Sequence, residues 1–322
     1  MDADPAARII KGVTRSAWRP IGLVLISAAL FGASFPASKT VLSRIPPLEL
    51  AGFFYLFSGT GTALLRLLLR SSGPDTRFRR GDGRWLVGSV FVGGVAGPIL
   101  LMFGLERTPA HIGSLLAGSE TLFTVILAVT FFGDVLLKRE LAGAALILAG
   151  SAMVALAGSE SGGGLRWQGP LLLLGAGLAW GLDNNFTARL SGRDPLLIAV
   201  IKGFGAGTIN LGLACASGSL VLFDAKTLGV TAFVGVFCYG VAFALFVVAL
   251  RDLGASRTSA IYGTGPAFGV LFSWLALGEI PRGMAIAGGC LMLISVPLFV
   301  RKEGEPVYLS AGPEKPGPPA AT

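Results

Sequence analysis

The sequence predicts an all-α integral membrane protein, with ten transmembrane helices in two inverted five-helix repeats. Three observations carry that expectation. The first is composition: of 322 residues, 53% are hydrophobic and only 14% charged. A soluble domain carries about a quarter charged residues, so a water-facing surface cannot be built from this set. The second is a series of runs without a single charge, at 85–105, 141–159, 203–223, 227–250, 258–278 and 283–300. A helix needs about 20 such residues to cross a bilayer core. The third is self-similarity: the stretch 114–134 recurs at 259–279. One constant offset superimposes Ser114 on Ser259, Phe123 on Phe268, Gly133 on Gly278, Asp134 on Glu279 and Gly143 on Gly288. Matched glycines and acids, and not only matched leucines, mark two copies of one unit.

Taken in order, the chain opens with a basic segment, 1–19, holding Arg8, Lys11, Arg15 and Arg19. The span 20–42 follows. A secretory signal peptide cleaved near 29–34 is the rival reading, but the apolar stretch exceeds a signal core and holds the first position of the repeat. Spans at 49–69, 85–105, 111–132 and 141–158 complete the first half, with the Gly133-Asp134 helix end between the last two. A Gly/Ser-rich linker, 159–167, leads to spans at 168–189, 196–216, 228–250, 258–277 and 283–300. The tail 301–322 is Pro, Gly, Ala and charge, a composition that does not bury a core. Glycine, 47 residues, stands at roughly twice its usual share of about 7%. Small residues let membrane helices approach closely.

The charges orient the bundle. With the N-terminus in the cytoplasm, inner segments carry 19 Lys and Arg and outer loops carry five, Arg44, Arg107, Arg166, Lys226 and Arg282; Lys39 and Lys202 fall inside spans. Basic residues favour cytoplasmic loops, so both termini are expected there. The same bias accounts for the net charge of +8 without nucleic acid. A second offset aligns Phe31-Gly32 with Trp180-Gly181 and Pro46 with Pro195. Five spans per half force the second copy to enter from the opposite side, an architecture found in secondary transporters.

These features resemble the EamA family of the drug/metabolite transporter superfamily. The resemblance covers 20–300 and rests on the Phe31-Gly and Trp180-Gly segments, the Pro46 and Pro195 turns, and the two Gly-acid helix ends. It implies transport of a small molecule across the cell's inner membrane, in the export direction. Members often carry Pro in the middle of the fourth and ninth helices. Here Pro266 is present, whereas its counterpart is Thr121, beside Glu120.

Ionisable groups inside membrane helices are costly and face a cavity, a partner or a headgroup. Asp183 and Lys202 lie about two turns either side of the Arg193-Asp194-Pro195 turn, hence at similar depth. They form either a neutralising bridge, with Asn184 and Asn185 completing the hydrogen bonds, or a substrate or gating site. Asn210 lies two turns deeper. Glu120 sits toward the midplane, where a carboxylate pairs or takes up a proton; a coupling proton is one consequence. Lys39 either reaches Glu120 or snorkels to headgroups. Gly263, Gly265, Pro266 and Gly269 loosen the ninth span, where Pro266 frees a backbone carbonyl. Tyr262 and Trp180 either line the cavity or simply pack.

Other chemistry is not expected. Cys215, Cys238 and Cys290 have neither disulfide nor metal-ligand spacing, and His111 has no companions for a metal. No Walker-type loop or nucleophile–base set is present, so neither enzyme activity nor a cofactor is expected. The partners implied are a small-molecule substrate and membrane lipid. A membrane-embedded receptor or assembly subunit that binds without transport is the alternative, although every outer loop is too short for a sensory domain.

Overall fold

The computed structural model describes residues 18–69, 78–132, 138–160, 166–253, 255–281 and 283–299. The flank 1–17, the tail 300–322, most of the linker (161–165) and the Gly133-Asp134 helix end lie outside the described residues. Every element among the described residues is helical. In chain order these are α1 (Trp18–Val41), α2 (Pro47–Leu68), α3 (Asp82–Gly88), α4 (Gly97–Glu106), α5 (Ala110–Ala117), α6 (Glu120–Phe132), α7 (Lys138–Glu160), α8 (Gln168–Leu190), α9 (Pro195–Ala216), α10 (Ala225–Phe233), α11 (Ala242–Leu253), α12 (Ala255–Tyr262), α13 (Gly265–Leu277) and α14 (Met284–Phe299).

Among the described residues, six helical stretches are long and apolar enough to cross a membrane: Arg19–Val41, Pro47–Leu68, Asp82–Glu106, Ala110–Phe131, Pro195–Ala216 and Ala225–Leu250. Shorter apolar helices cover Leu141–Ala157, Gly265–Leu277 and Met284–Leu298. The helix α8 is as long but carries the polar run Asp183-Asn184-Asn185. Ile26, Leu64, Phe91, Phe131, Leu148, Leu171, Leu275 and Ile294 point outward, a belt that suits hydrocarbon better than water.

Two features interrupt the regular helices. First, α3 runs into α4, and α10 into α11, through π-helical turns at Ser89–Ala96 and Val234–Val241. Both stretches read in sequence as plain apolar runs. Their positions obey the offset that superimposes Ser114 on Ser259. Secondly, the spans expected at 111–132 and 258–277 are each broken in two. Gly118-Ser119 separates α5 from α6, and Gly263-Thr264 separates α12 from α13. Gly265 and Pro266 therefore open α13, where proline loses no helical hydrogen bond, rather than kinking a continuous helix. The first half breaks at the matching place without a proline.

Helix pairings come in matched sets. α1 packs on α13 and α8 on α6; α1 also packs on α11 and α8 on α4; α2 meets the second π turn and α9 the first. The most extensive contacts are α2 with α9 and α7 with α14. Both depend on glycine. A Cβ on Gly207 would lie 2.6 Å from the Leu56 amide nitrogen, and one on Gly150 would lie 2.6 Å from the Gly288 carbonyl oxygen. Backbones this close need residues without side chains.

The Gly-acid end of the second half is a capping device. Gly278, at φ +67°, closes α13 in the left-handed region, which glycine adopts without strain. Glu279 then accepts the His111 amide at 3.0 Å and sits 2.9 Å from His111 Nδ1. This places a carboxylate at the start of α5, where a helix favours negative charge. Burial alone would push this carboxyl up. Bonds from the His111 ring and from the His111 and Ala110 amides outweigh it, so its pKa lies below the ordinary glutamate value. A lowered carboxylate pKa stabilises the fold above the unfolded value and loses that contribution as pH falls through the folded value. Glu279→Gln is thus expected to cost about 1 kcal/mol at neutral pH, the usual worth of a cap. In thermal melts, the gap between wild type and variant should close under acid; a pH-independent gap would refute the assignment.

Candidate functional site

A cavity lies where α1, α2 and α6 face α8, α9, α11, α12 and the second π turn. Phe31, Tyr55, Glu120, Trp180, Asp183, Asn184, Lys202, Tyr239 and Tyr262 line it, with Ser58, Cys238, Phe243 and Phe246. Its volume is about 70 Å³, and one water needs roughly 10–15 Å³. It therefore holds a handful of waters or one small solute, not a drug-sized molecule. A narrower apolar recess adjoins it, sharing Phe31, Glu120 and Tyr262 and running between the two helix breaks past Gly118, Gly263 and Pro266.

Three charges stand in the cavity wall, and two neutralise each other. Lys202 Nζ donates to Asp183 Oδ2, both side chains being about 5% exposed or less. The other carboxylate oxygen of Asp183 accepts Ser89 Oγ at 2.5 Å and Thr187 Oγ1 at 3.4 Å. Lys202 Nζ also lies 4.5 Å from the Phe243 ring centroid, a favourable cation–π position. Glu120 is held differently. It opens α6, right after the helix break, and its Oε1 accepts Asn184 Nδ2 at 2.6 Å. Asn184 Nδ2 also reaches Thr124 Oγ1 at 3.1 Å. No basic side chain among the described residues forms an ion pair with Glu120.

The first π turn holds lining residues from behind. A π turn shifts the register of backbone bonding, and here the Gly93 carbonyl accepts Tyr55 OH at 2.8 Å and Trp180 Nε1 at 3.1 Å. The Gly94 carbonyl accepts Asn210 Nδ2 at 3.1 Å. Around the cavity Phe31 meets Trp180 edge-on at 5.4 Å between centroids, and stacks with Tyr262 at 5.8 Å. Tyr55 meets Tyr239 at 5.5 Å.

Of the residues singled out in sequence, Glu120, Asp183, Asn184, Lys202, Trp180 and Tyr262 share this one cavity. The others lie elsewhere or beside it. Asn185 donates to the carbonyls of Thr124 and Gly181, so it ties α8 to α6 and does not line the cavity. Asn210 anchors α9 to the π turn. Lys39 does not bond Glu120: its ammonium donates to the carbonyls of Leu105 at 2.5 Å and Thr108 at 2.9 Å. There it satisfies carbonyls at the C-terminus of α4, which would otherwise go unbonded. Gly265 and Pro266 line the recess. Sequence reasoning missed Tyr55, Tyr239, Phe243, Phe246 and Ser58. One signal was available for the first two: the chain has four tyrosines, and three of them line this cavity.

Comparison with known proteins agrees with this architecture. The model of the EamA-like transporter family matches residues 18–156 and again 167–301. An uncharacterized transporter of Methanothermobacter thermautotrophicus is 26% identical over 295 residues, covering 88% of this chain and 86% of that one. A "probable terminal-alkyne amino-acid exporter" of Streptantibioticus cattleyicolor is 30% identical over 210 residues, 63% of this chain and 68% of its own. A "probable amino-acid metabolite efflux pump" of Salmonella typhimurium is 23% identical over 297 residues, 86% and 93% of the two chains. One crystal structure superposes with a TM-score of 0.67 at 16% identity, over 87% of this chain and 96% of that one, a likeness of fold. With family matches across nearly the whole described length and helices apolar enough to cross a bilayer several times, this chain is a multi-pass membrane protein and belongs to the EamA-like transporter family of the drug/metabolite transporter superfamily.

Proposed function

We propose that the protein is a secondary active transporter that exports a small polar or amphipathic metabolite from the cytoplasm by alternating access. In this reading the chain crosses the inner membrane ten times, in inverted repeats at 20–158 and 168–300 joined by the linker 159–167. The segments 1–19 and 301–322 both lie in the cytoplasm. The observation that carries the proposal is a cavity with buried charges, enclosed between the two halves and flanked by a helix break from each. Binding at a repeat interface formed by discontinuous helices is how secondary transporters hold cargo.

Further support comes from the ends of the helices. Lys39 joins the end of α1 to the end of α4, whereas Arg193, just past α8, pairs with Asp82 at the start of α3 at 2.6 Å. These two contacts support a reading in which corresponding helices of the two halves finish at opposite ends of the bundle. The matched pairings and the double family match point the same way, and the relatives named as an amino-acid exporter and an amino-acid metabolite efflux pump favour export of amino-acid metabolites.

Counterflow in proteoliposomes tests the function. Vesicles preloaded with an unlabelled amino-acid derivative should take up the labelled compound faster than empty ones. Saturable binding without flux, under imposed pH and voltage gradients, would instead favour a receptor. A reporter that fluoresces only in the cytoplasm, fused after Thr322, should light up; a dark fusion would overturn the topology.

A further inference from the structure

The charges of the cavity do not balance. Asp183 and Lys202 are spent on each other, with Ser89, Thr187 and the face of Phe243 completing their shells. Glu120 is left with one amide bond from Asn184 to a single oxygen, and it is 8% exposed. A lone carboxylate in such an interior is neutralised by a proton or by a cation. Ring faces dominate the wall around it: Phe31 and Tyr262 line both the cavity and the recess next to Glu120, with Trp180 and Tyr239 alongside. Carboxylate and aromatic faces together are the chemistry that recognises ammonium groups. One polar group also waits for a partner. Tyr239 is 7% exposed and lines the cavity, yet its hydroxyl has no hydrogen-bond partner among the described residues.

We propose that this cavity takes an organic ammonium ion without a free carboxylate, seated between Glu120 and the rings of Phe31, Trp180, Tyr239 and Tyr262. The inference deepens the transport reading and rests on it for its physiological meaning, though binding itself follows from the cavity alone. The apolar recess beside Glu120 receives the hydrocarbon end of the ligand. A free amino acid is disfavoured because its carboxylate would need a cation, and Lys202 is already engaged. The exchange is balanced: R–NH₃⁺ enters, the Glu120 carboxyl releases its proton to solvent, and one carboxylate–ammonium pair forms. The other titratable groups facing Glu120 are Asp183 on α8, Lys202 on α9, Tyr55 on α2, Tyr262 on α12, and Cys238 and Tyr239 on the second π turn; α7 carries no charge between Leu141 and Ala157.

The test is calorimetric titration of the purified full chain in nanodiscs with isoamylammonium, L-leucinamide, L-leucine and isovalerate, four ligands sharing one branched alkyl end. Isoamylammonium and L-leucinamide should bind at least tenfold more tightly than L-leucine or isovalerate. On the acid limb, isoamylammonium affinity should fall about tenfold per pH unit, the slope of one proton exchanged per ligand. Glu120→Gln should abolish that slope while still accepting the Asn184 bond, and Tyr239→Phe should weaken binding while keeping the slope. Equal affinity for L-leucine and L-leucinamide, or an unchanged slope in Glu120→Gln, overturns the proposal. Its failure is separable from that of the transport reading. Ammonium-selective binding without counterflow would sink transport alone, and carriage of a carboxylate with no amine binding would sink the ammonium site alone.

Discussion

Asp183→Asn is expected to damage folding more than almost any other single change in the cavity wall. It leaves the Lys202 ammonium, 4% exposed, without its counter-charge, and breaking a buried pair from one side costs about 3–5 kcal/mol. Lys202→Met should be milder, because Asp183 keeps the Ser89 and Thr187 hydroxyls. The double variant Asp183→Asn with Lys202→Met removes both charges, while the carbonyl of the introduced amide still accepts those hydroxyls. Replacing a buried pair by neutral groups is often close to neutral, so folding and flux should both return. Melting temperature and monodispersity in detergent report the first, counterflow the second. Full folding without flux would show instead that the pair handles the cargo, and a double variant as unstable as Asp183→Asn would remove the neutralisation argument.

How far the sequence predicts such a site depends on what kind of signal each residue leaves. A charge inside an apolar run stands out, so Glu120, Asp183 and Lys202 were legible, and the sharp turn at Arg193-Asp194-Pro195 put the latter two at one depth. Lys39 was equally visible but its partners were not. They are backbone carbonyls at the end of α4, and carbonyls carry no residue identity. The π turns left no trace because their apolar stretches hold no residue that separates a π register from an α register. Yet those turns decide where Tyr55, Trp180 and Asn210 bond. The breaks were half legible. Pro266 announced one, and the repeat offset placed Gly118-Ser119 opposite Gly263-Thr264, but a missing proline at Thr121 concealed the first. There the chain breaks at a glycine and restarts at Glu120, whose acid suits a helix N-terminus.

Glu120→Gln tests the link between that carboxyl and the energy source. The glutamine keeps the size of the side chain and offers a carbonyl oxygen to Asn184 Nδ2 in place of the present 2.6 Å bond, so assembly should be preserved. What disappears is the capacity to gain and lose a proton as the cavity opens to either side. With one proton exchanged per ammonium, a one-unit pH gradient supplies about 1.4 kcal/mol and supports about tenfold accumulation. Wild-type proteoliposomes under that gradient should approach this ratio. Glu120→Gln vesicles should equilibrate their contents without accumulation, and the exchange that remains down a ligand gradient should be slower and need more ligand, because the ammonium has lost its counter-charge. The two outcomes separate a proton carrier from a structural hydrogen bond. A purely structural Glu120 would leave accumulation and its pH dependence intact in any variant that folds, because Gln can make the same bond. Loss of accumulation together with residual, pH-independent exchange assigns the proton to this one carboxyl, since Asp183 remains paired with Lys202 in both proteins.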